Sequence, residues 1–334
     1  MPEKTPGSAV PIPAGRADDL LATAARAPSI LNTQPWLFRV SKYSIELYCD
    51  PSRRLRADPV GREMLISCGA ALFGLRLAIR SLGYQPVVKL VPDPDRLRLL
   101  AEVRLGAELP MTELERRMLD ALPHRHTHRG PFLPAPLPRG MLIGMQHDAV
   151  AEHAELALID RPGAYEQLAT IVARAARGQS VDSQTRSDAR QWVRAPGNVA
   201  RDGVPASAIP PQAGRQPGLL PQRDLDLGRH IGQLPPGGPP AAATAVLLTP
   251  GDTRTDWIRA GQALHRLLAR AATRWVFATL NSQPLEEAAT RELIRTRLTL
   301  SGAPQLLMQF GVARTAQATA RRPPGDLIER DRSR

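Results

Sequence analysis

Ala27-Pro28-Ser29-Ile30-Leu31-Asn32-Thr33-Gln34-Pro35-Trp36 is the stretch on which the reading of this chain turns. Polar residues and two prolines break what would otherwise be an apolar run. Pro28 and Pro35 fix their own φ and push the residues before them out of the helical region, which predicts rigid, extended backbone. In such backbone Asn32 and Gln34 project to the same side. A primary amide both donates and accepts, so two on one face can read the alternating C=O and N–H groups of a flat heterocycle; an isoalloxazine ring is one. The competing reading is a proline-bounded loop whose amides cap neighbouring backbone groups.

Working outward, residues 18–27 form a short amphipathic helix stopped by Pro28, and the Pro- and Gly-rich residues before it read as a disordered lead-in over 1–16. Downstream, 36–40 and 44–49 alternate apolar and polar residues around Ser41-Lys42-Tyr43, a hairpin signal. Residues 62–82 carry the strongest helical pattern, with Leu65, Cys68, Leu72, Leu75, Ile79 and Leu82 on one stripe. The small centre Ser67-Cys68-Gly69-Ala70-Ala71 would let another helix backbone come close. Cys68 on that stripe reads as a small core residue. Gly83 stops the helix, 87–91 and 99–105 read as paired strands, and Thr112-Glu113-Leu114-Glu115 is a capping box.

A second chemical stretch follows, His124-Arg125-His126-Thr127-His128-Arg129-Gly130-Pro131-Phe132. Three histidines at alternate positions share one face of an extended segment and invite a metal. Three donors so close rarely close a tetrahedral site alone, and the stretch holds no Cys or carboxylate. On the opposite parity lie Arg125, Thr127 and Arg129, two guanidinium forks and a hydroxyl suited to an anion. Further on, 154–159 reads as a strand and 165–177 and 183–194 as helices. The composition then shifts to Pro and Gly over 196–240, a lid or a linker. Residues 243–248 read as a strand, and 254–272 as a helix with Trp257, Gly261, Leu264, Leu268 and Ala272 on one stripe. His265 on that helix reads as an ordinary helical histidine. Pro284 opens a helical turn whose N–H groups at Leu285, Glu286 and Glu287 would point outward and favour negative charge, although a plain helix start with acidic residues fits equally. Residues 304–312 form a core strand, and Arg321-Arg322 is a basic pair near the end.

Composition narrows the function classes. The formal charge is +12, yet Lys4, Lys42 and Lys89 are the only lysines, so the basic charge is arginine mixed among acids. Aromatic residues make up 4%, too few for base stacking, so no nucleic-acid partner is expected. No stretch approaches the ~20 apolar residues of a membrane span, and no membrane partner is expected. Cys49 and Cys68 are too few for a disulfide framework, which fits a cytoplasmic protein.

Ala-Pro-Ser-x-x-Asn-x-Gln-Pro-Trp, Arg125-x-Thr127-x-Arg129 and Ala320-Arg321-Arg322-Pro323-Pro324 together resemble the motifs of the FMN-dependent nitroreductase superfamily. Within it the chain resembles the Acg-type FMN-binding oxidoreductases over residues 18–328, with 196–240 poorly matched. The resemblance implies an α+β, nitroreductase-like fold of antiparallel sheets packed with long helices, made of two fused pseudo-repeat halves, 17–123 and 124–330. It implies FMN as cofactor, with Ser29, Asn32 and Gln34 at the flavin and Arg125, Thr127, Arg129, Arg321 and Arg322 on its phosphate. The backbone at Pro284, Leu285 and Glu286 would lie beside flavin N5, and 196–240 would be a lid over the ring. In ordinary nitroreductases the Arg-rich stretch comes first; the reversed order here is what two fused halves would give.

The activity so implied is NAD(P)H-linked reduction of a small electrophile such as a nitroaromatic or quinone. No side chain stands out as a general acid or base, and no metal is expected. The chain has no Gly-x-Gly-x-x-Gly fingerprint, so the nicotinamide would bind transiently over the flavin. The alternative is a protein that sequesters flavin under its lid. A monomer acting as its own pseudo-dimer is the expected state. In one place the pattern departs: Thr273-Arg274-Trp275-Val276-Phe277 stands where relatives carry a Gly-Leu-like pair, and its bulk would narrow the pocket.

Overall fold

The computed structural model describes residues 10–129, 132–209, 220–233, 242–314 and 319–330. Residues 1–9 of the expected lead-in, 210–219 and 234–240 of the expected lid, and Gly130 and Pro131 lie outside the described residues.

Helix α1 (Ala17–Ala24) ends just before the motif turn. Strands β1 (Trp36–Val40) and β2 (Ile45–Cys49) then pair as the expected hairpin, Trp36 opposite Cys49 and Val40 opposite Ile45. Trp36, Phe38, Ile45 and Leu47 are buried, as period-two alternation requires. Helix α2 (Arg62–Ser81) follows, then β3 (Tyr84–Leu90) and β4 (Leu99–Glu108), and the four strands lie in the order β1-β2-β4-β3. Helix α3 (Glu113–Ala121) opens on the expected box: Thr112 Oγ1 accepts from Glu115 N, and Glu115 Oε2 accepts from Thr112 N at 2.7 Å.

The second sheet is assembled from a longer stretch of chain. Helix α4 (Met141–Ala151) precedes β5 (Glu155–Leu158), and α5 (Ala164–Val181) and α6 (Ser183–Trp192) lead to a two-residue parallel pair, β6 (Val193–Arg194) with β7 (Val204–Pro205). Then come β8 (Ala243–Thr249), α7 (Arg254–Ala272), β9 (Val276–Asn281), α8 (Ala288–Arg297) and β10 (Ala303–Val312), with strand order β5-β8-β10-β9. Strand β9 was not anticipated from sequence. It lies in residues read only for their resemblance to a turn.

Counted within its own sheet, each runs first, second, fourth, third, with every neighbour antiparallel. In each the long helix, α2 or α7, follows the second strand. The amino acids show no such repeat, but the backbone does. The two helices cross at Gly69 and Gly261, the eighth residue of each. A β-carbon on Gly69 would sit 2.1 Å from Ile258 O, and one on Gly261 would sit 1.9 Å from Ile66 O. His265 closes the crossing by a 2.7 Å bond from its Nδ1 to Ala70 O and is fully buried. Ile258 of α7 belongs to the first core and Ile66 of α2 to the second.

By length and apolarity α2 could cross a membrane, unlike anything expected from sequence. Its apolar window is 89% buried inside the protein, so the core accounts for its character. Two terminal segments dock on the first sheet. Val10 bridges Leu105, inside the expected lead-in, and Glu329 N donates to Phe38 O at 2.8 Å beside the buried Leu327.

Gly261→Ala should destabilise the fold by about 3 kcal/mol or more, because its methyl would meet backbone that cannot rotate away. Gly178→Ala, in α5 with nothing within 4 Å of the added carbon, should stabilise by about 0.5–1 kcal/mol. Urea unfolding of both variants checks the pair; equal effects would contradict the crossing.

Candidate functional site

A cavity lies between the motif turn, the start of α2 and the end of β9. Ser29 and Leu31 line it from the turn, Glu63 and Ser67 from α2, and Thr127 and Arg129 from the histidine stretch. Asn281 and Gln283 contribute from the segment that ends β9, and Gln222 and Arg223 from the Pro/Gly-rich region.

The turn is not extended, contrary to expectation. Ile30–Asn32 is a 3-10 turn, and Leu31, Asn32 and Gln34 have φ of 44°, 54° and 50°, a region that L residues avoid. Ser29 Oγ accepts from Gln34 N at 3.0 Å and Ser67 Oγ from Ile30 N at 3.1 Å. The left-handed backbone sends the two amides to different partners. Asn32 Nδ2 donates to Gly203 O at 2.9 Å and Ala320 O at 3.2 Å. Gln34 Nε2 donates to Arg201 O at 2.8 Å, and its Oε1 accepts from Arg322 N at 2.9 Å. Both side chains therefore clasp distant backbone instead of sharing a face on the cavity. Asn32 Oδ1 remains buried without a partner among the described residues, and Gln34 is fully buried.

Residues 124–129 run beside β9, with Thr127 bridging Ala278 in parallel and His128 N donating to Ala278 O at 2.8 Å. Parity sorts their side chains as expected. His126 packs on Phe277 and His128 on Phe132, with ring centroids 4.4 and 4.8 Å apart, while Thr127 and Arg129 line the cavity. Among the described residues no group of three or more His, Cys, Asp or Glu could hold a metal ion.

Two of the charges near this stretch, Arg125 and Arg321, have sealed nitrogen atoms without a partner among the described residues. Arg125 is buried; its Nε donates to Arg26 O at 3.3 Å and its Nη1 has no partner among the described residues. Burial, then the charges of Arg321 and Arg26, pushes its pKa down to about 9. Arg321 has a sealed Nε without a partner, and burial followed by Arg26 pushes it down to about 10. Burial does the same to Arg129, also to about 10. His265 feels Arg125 and Arg321 as well; its Nε2 is unpartnered, and burial above all takes its pKa to about 3. No carboxylate pairs with Arg125 or Arg321 among the described residues. Removing a guanidinium from water without a counter-charge costs several kcal/mol, so these groups call for an anion. Arg322 is different: its Nη1 donates to Gln34 O at 3.2 Å and its Nη2 bonds Asp326 O.

The Pro284 turn also departs from expectation. It is a single 3-10 turn, Gln283–Leu285, and α8 begins only at Ala288. Leu285 N donates to Ser282 O at 2.8 Å and Glu286 N to Gln283 O at 3.3 Å, so those N–H groups are not free for a ligand. Pro284 and Leu285 are buried, Leu285 in the core with Ile294 and Leu307. The Glu286 carboxylate pairs with Arg223, and burial pushes its pKa up to about 7.

No family model matches the chain. A Mycobacterium tuberculosis protein provisionally named as an NAD(P)H nitroreductase is 34% identical over 299 residues, 88% of this chain and 84% of that protein. The chain belongs to the nitroreductase superfamily. A second relative from M. tuberculosis, the provisionally named NAD(P)H nitroreductase acg, is 27% identical over 313 residues, covering 91% of this chain and 92% of its own. The crystal structure of a nitroreductase with bound FMN from Desulfitobacterium hafniense is a looser likeness, with 11% identity, a TM-score of 0.41, and coverage of 66% of this chain and 99% of that one.

Of the residues expected at the site of this nitroreductase-superfamily chain, Ser29, Thr127 and Arg129 line the cavity, and Arg125 and Arg321 form the cationic cluster. Asn32, Gln34 and Arg322 brace the turn, and Pro284, Leu285 and Glu286 stand behind the lining. Sequence reasoning missed Glu63, Arg223, Asn281, Gln283 and His265. Adjacent charges at Arg62 and Glu63, heading an apolar helix, were a usable signal of buried function. Arg223, in a stretch without periodicity, offered none.

Inorganic phosphate should raise the Tm of the protein stripped of bound small molecules. Arg125→Met should abolish that rise while leaving the stripped protein as stable or more so, because it removes an uncompensated buried charge. An unchanged phosphate response would contradict the anion site. His265 titrates at about 3 in the fold against 6.5 when unfolded, so the unfolded chain takes up a proton that the fold refuses. Its contribution is complete above pH 6.5 and is lost as pH falls toward 3. His265→Gln should therefore flatten the acid limb of a urea-unfolding series in that window, and an unaltered slope would count against it.

Proposed function

We propose that the chain is an FMN-binding, NAD(P)H-linked oxidoreductase acting on a small electrophile such as a nitroaromatic or quinone. The observation that carries this reading is the acid-free cluster of Arg125, Arg321 and His265, set beside a cavity lined by Ser29, Thr127 and Arg129. A dianionic phosphate tethered to a flat ring suits that pair of environments, and FMN has both parts. The orphaned Arg125 Nη1 and Arg321 Nε are what a phosphate would satisfy. The names of the M. tuberculosis relatives support a nicotinamide donor.

In this reading Arg125, Thr127, Arg129 and Arg321 hold the phosphate, with Arg322 acting through Gln34. Ser29 and the free Asn32 Oδ1 serve the ring, and Gln34 holds the turn in shape. The segment from Gln283 through Pro284, Leu285 and Glu286 borders the ring, with the Gln283 side chain as the available contact. When bound, FMN supplies the two-electron chemistry. The chain's own part is to bind it, orient it and keep water away. The shared strand order and the matched glycines support two fused halves, 17–123 and 124–330, forming a monomeric pseudo-dimer.

One observation favours flavin sequestration as the second reading: the expected lid reaches the cavity and is fastened there. Asn281 Nδ2 donates to Pro221 O at 3.0 Å and Leu220 N to Gln309 Oε1 at 2.8 Å.

The purified protein should keep absorbance near ~370 and ~450 nm through desalting, as bound flavin does. A colourless protein that also fails to take up FMN would overturn the cofactor assignment. Anaerobic NAD(P)H should then bleach the bound flavin; an unreactive spectrum would replace the enzyme reading with sequestration.

A further inference from the structure

Only one charged side chain from the Pro/Gly-rich region lines the cavity among the described residues, Arg223. That side chain is 8% exposed and pairs through Nη2 with the Glu286 carboxylate, itself 5% exposed. Its other terminus, Nη1, is sealed from solvent and has no hydrogen-bond partner among the described residues. The backbone is pinned three and two residues before it, at Leu220 N and Pro221 O, so the guanidinium does not depend on a loose segment for its position. Two further lining atoms are equally sealed and unpartnered, Asn281 Oδ1 and Gln283 Oε1. Leaving a buried donor or acceptor unsatisfied costs about 1–3 kcal/mol each, more when charged. The cavity thus holds an unused guanidinium donor together with two unused amide acceptors.

The charge around Arg223 limits what can use that donor. Glu286 cancels it directly, and Glu286 in turn feels Glu63 and Asp58. Glu63 is paired with Arg62 at 2.7 Å, and Gln179 adds a neutral amide contact to Glu286 at 3.4 Å. With Arg129, the other arginine of the lining, engaged by the cofactor phosphate in the reading above, an incoming anion would meet at least as much negative as positive charge among these groups. A neutral acceptor oxygen meets no such opposition.

We propose that Arg223 is the residue that selects the electrophile, its Nη1 donating to a carbonyl or nitro oxygen of a neutral, planar acceptor while Glu286 holds the guanidinium in position. This rests on the oxidoreductase reading above. It assigns to the lid a specificity role in place of simple coverage. The competing use of Nη1, a bond to the cofactor itself, predicts a different pattern of losses.

The test uses the full chain loaded with FMN, without reductant, so that binding is read from the visible flavin spectrum and no turnover occurs. Menadione is the carbonyl-bearing probe, 2-methylnaphthalene matches its skeleton without the oxygens, and 1,4-naphthoquinone-2-sulfonate is the anionic quinone. Wild type should bind menadione at least about tenfold more tightly than 2-methylnaphthalene, as a hydrogen bond to a charged donor implies, and more tightly than the sulfonate. Arg223→Met should weaken menadione about tenfold, leaving 2-methylnaphthalene and the FMN content per chain unchanged; Arg223→Lys should fall between. Glu286→Gln keeps a hydrogen-bonding partner but unmasks positive charge, so it should shift preference toward the sulfonate. Equal weakening of menadione and 2-methylnaphthalene in Arg223→Met would overturn the proposal, and so would loss of FMN from that variant. Wild type that holds FMN yet does not distinguish the two neutral probes overturns it alone, whereas wild type that cannot hold FMN removes the oxidoreductase reading and this assignment with it.

Discussion

The backbone contact between α2 and α7 at Gly69 and Gly261 is the constraint on which the rest of the molecule depends. Helices meet this closely only where neither carries a β-carbon, and here either one would fall about 2 Å from a carbonyl oxygen of the other helix. The crossing places one four-stranded sheet with each helix and exchanges a residue between cores, Ile258 one way and Ile66 the other. It also locates the site. Glu63 and Ser67 approach the cavity from α2, both within two turns of the glycine, and Leu264 approaches from α7. His265, which bonds Ala70 across the crossing, is the same residue that feels Arg125 and Arg321. Packing and electrostatics therefore share residues, and a change at the crossing would be felt at Arg125 and Arg321.

That site is a case of stability set against function. Arg125 is buried and Arg321 half-buried, each with a sealed nitrogen atom that has no partner among the described residues, and His265 is held neutral beside them. None of this helps the bare fold, since buried charge without a partner is destabilising. An anion reverses the balance, because each guanidinium then gains a charge-assisted hydrogen bond in a medium of low dielectric. Contrast the ion pairs that tie the end of α4 to α7 and α2, where Asp148 accepts from both Arg266 and Arg270 of α7 and Glu152, just past α4, pairs with Arg76 of α2 and Arg266. Arginine is used structurally there, with its acids supplied by the chain. At Arg125 and Arg321 no acid pairs with the guanidinium among the described residues, and that difference is what the proposed anion site rests on.

Much of the fold was legible because local signals and burial agreed. The hairpin at residues 36–49, the capping box at Thr112 and the long helix Arg254–Ala272 all stand where periodicity and caps place them. The small centre of α2 announced a close helix contact, although not its partner. The repeat of strand order was hidden, because sheet topology is fixed by backbone pairing and tolerates replacement of nearly every side chain. At the site, the Arg125-x-Thr127-x-Arg129 parity survived because extended backbone alternates rigidly. The amide pair failed for the converse reason: Asn32 and Gln34 adopt left-handed φ, for which proline spacing gives no warning. The N–H groups at Leu285 and Glu286 failed because a turn that closes on itself uses the donors that an open helix start would expose.

The motif turn is held by what is most distant from it in sequence. Three left-handed residues without glycine cost roughly 1–2 kcal/mol each, and no bond inside the turn offsets that fully. The offset comes from Gly203 and Arg201 on one side and from Ala320 and Arg322 on the other, through Asn32 and Gln34. Arg53 joins them, donating to Thr33 O at 2.6 Å and to Asp202 at 3.1 Å. At about 1 kcal/mol per net hydrogen bond, these contacts are of the same size as the strain, so neither is negligible. The segment around Arg201 and Gly203 and the segment that carries Arg321 thus both support the backbone from which Ser29 faces the cavity. A turn that was stable by itself would leave those two segments free to move independently; this one makes its own shape conditional on both.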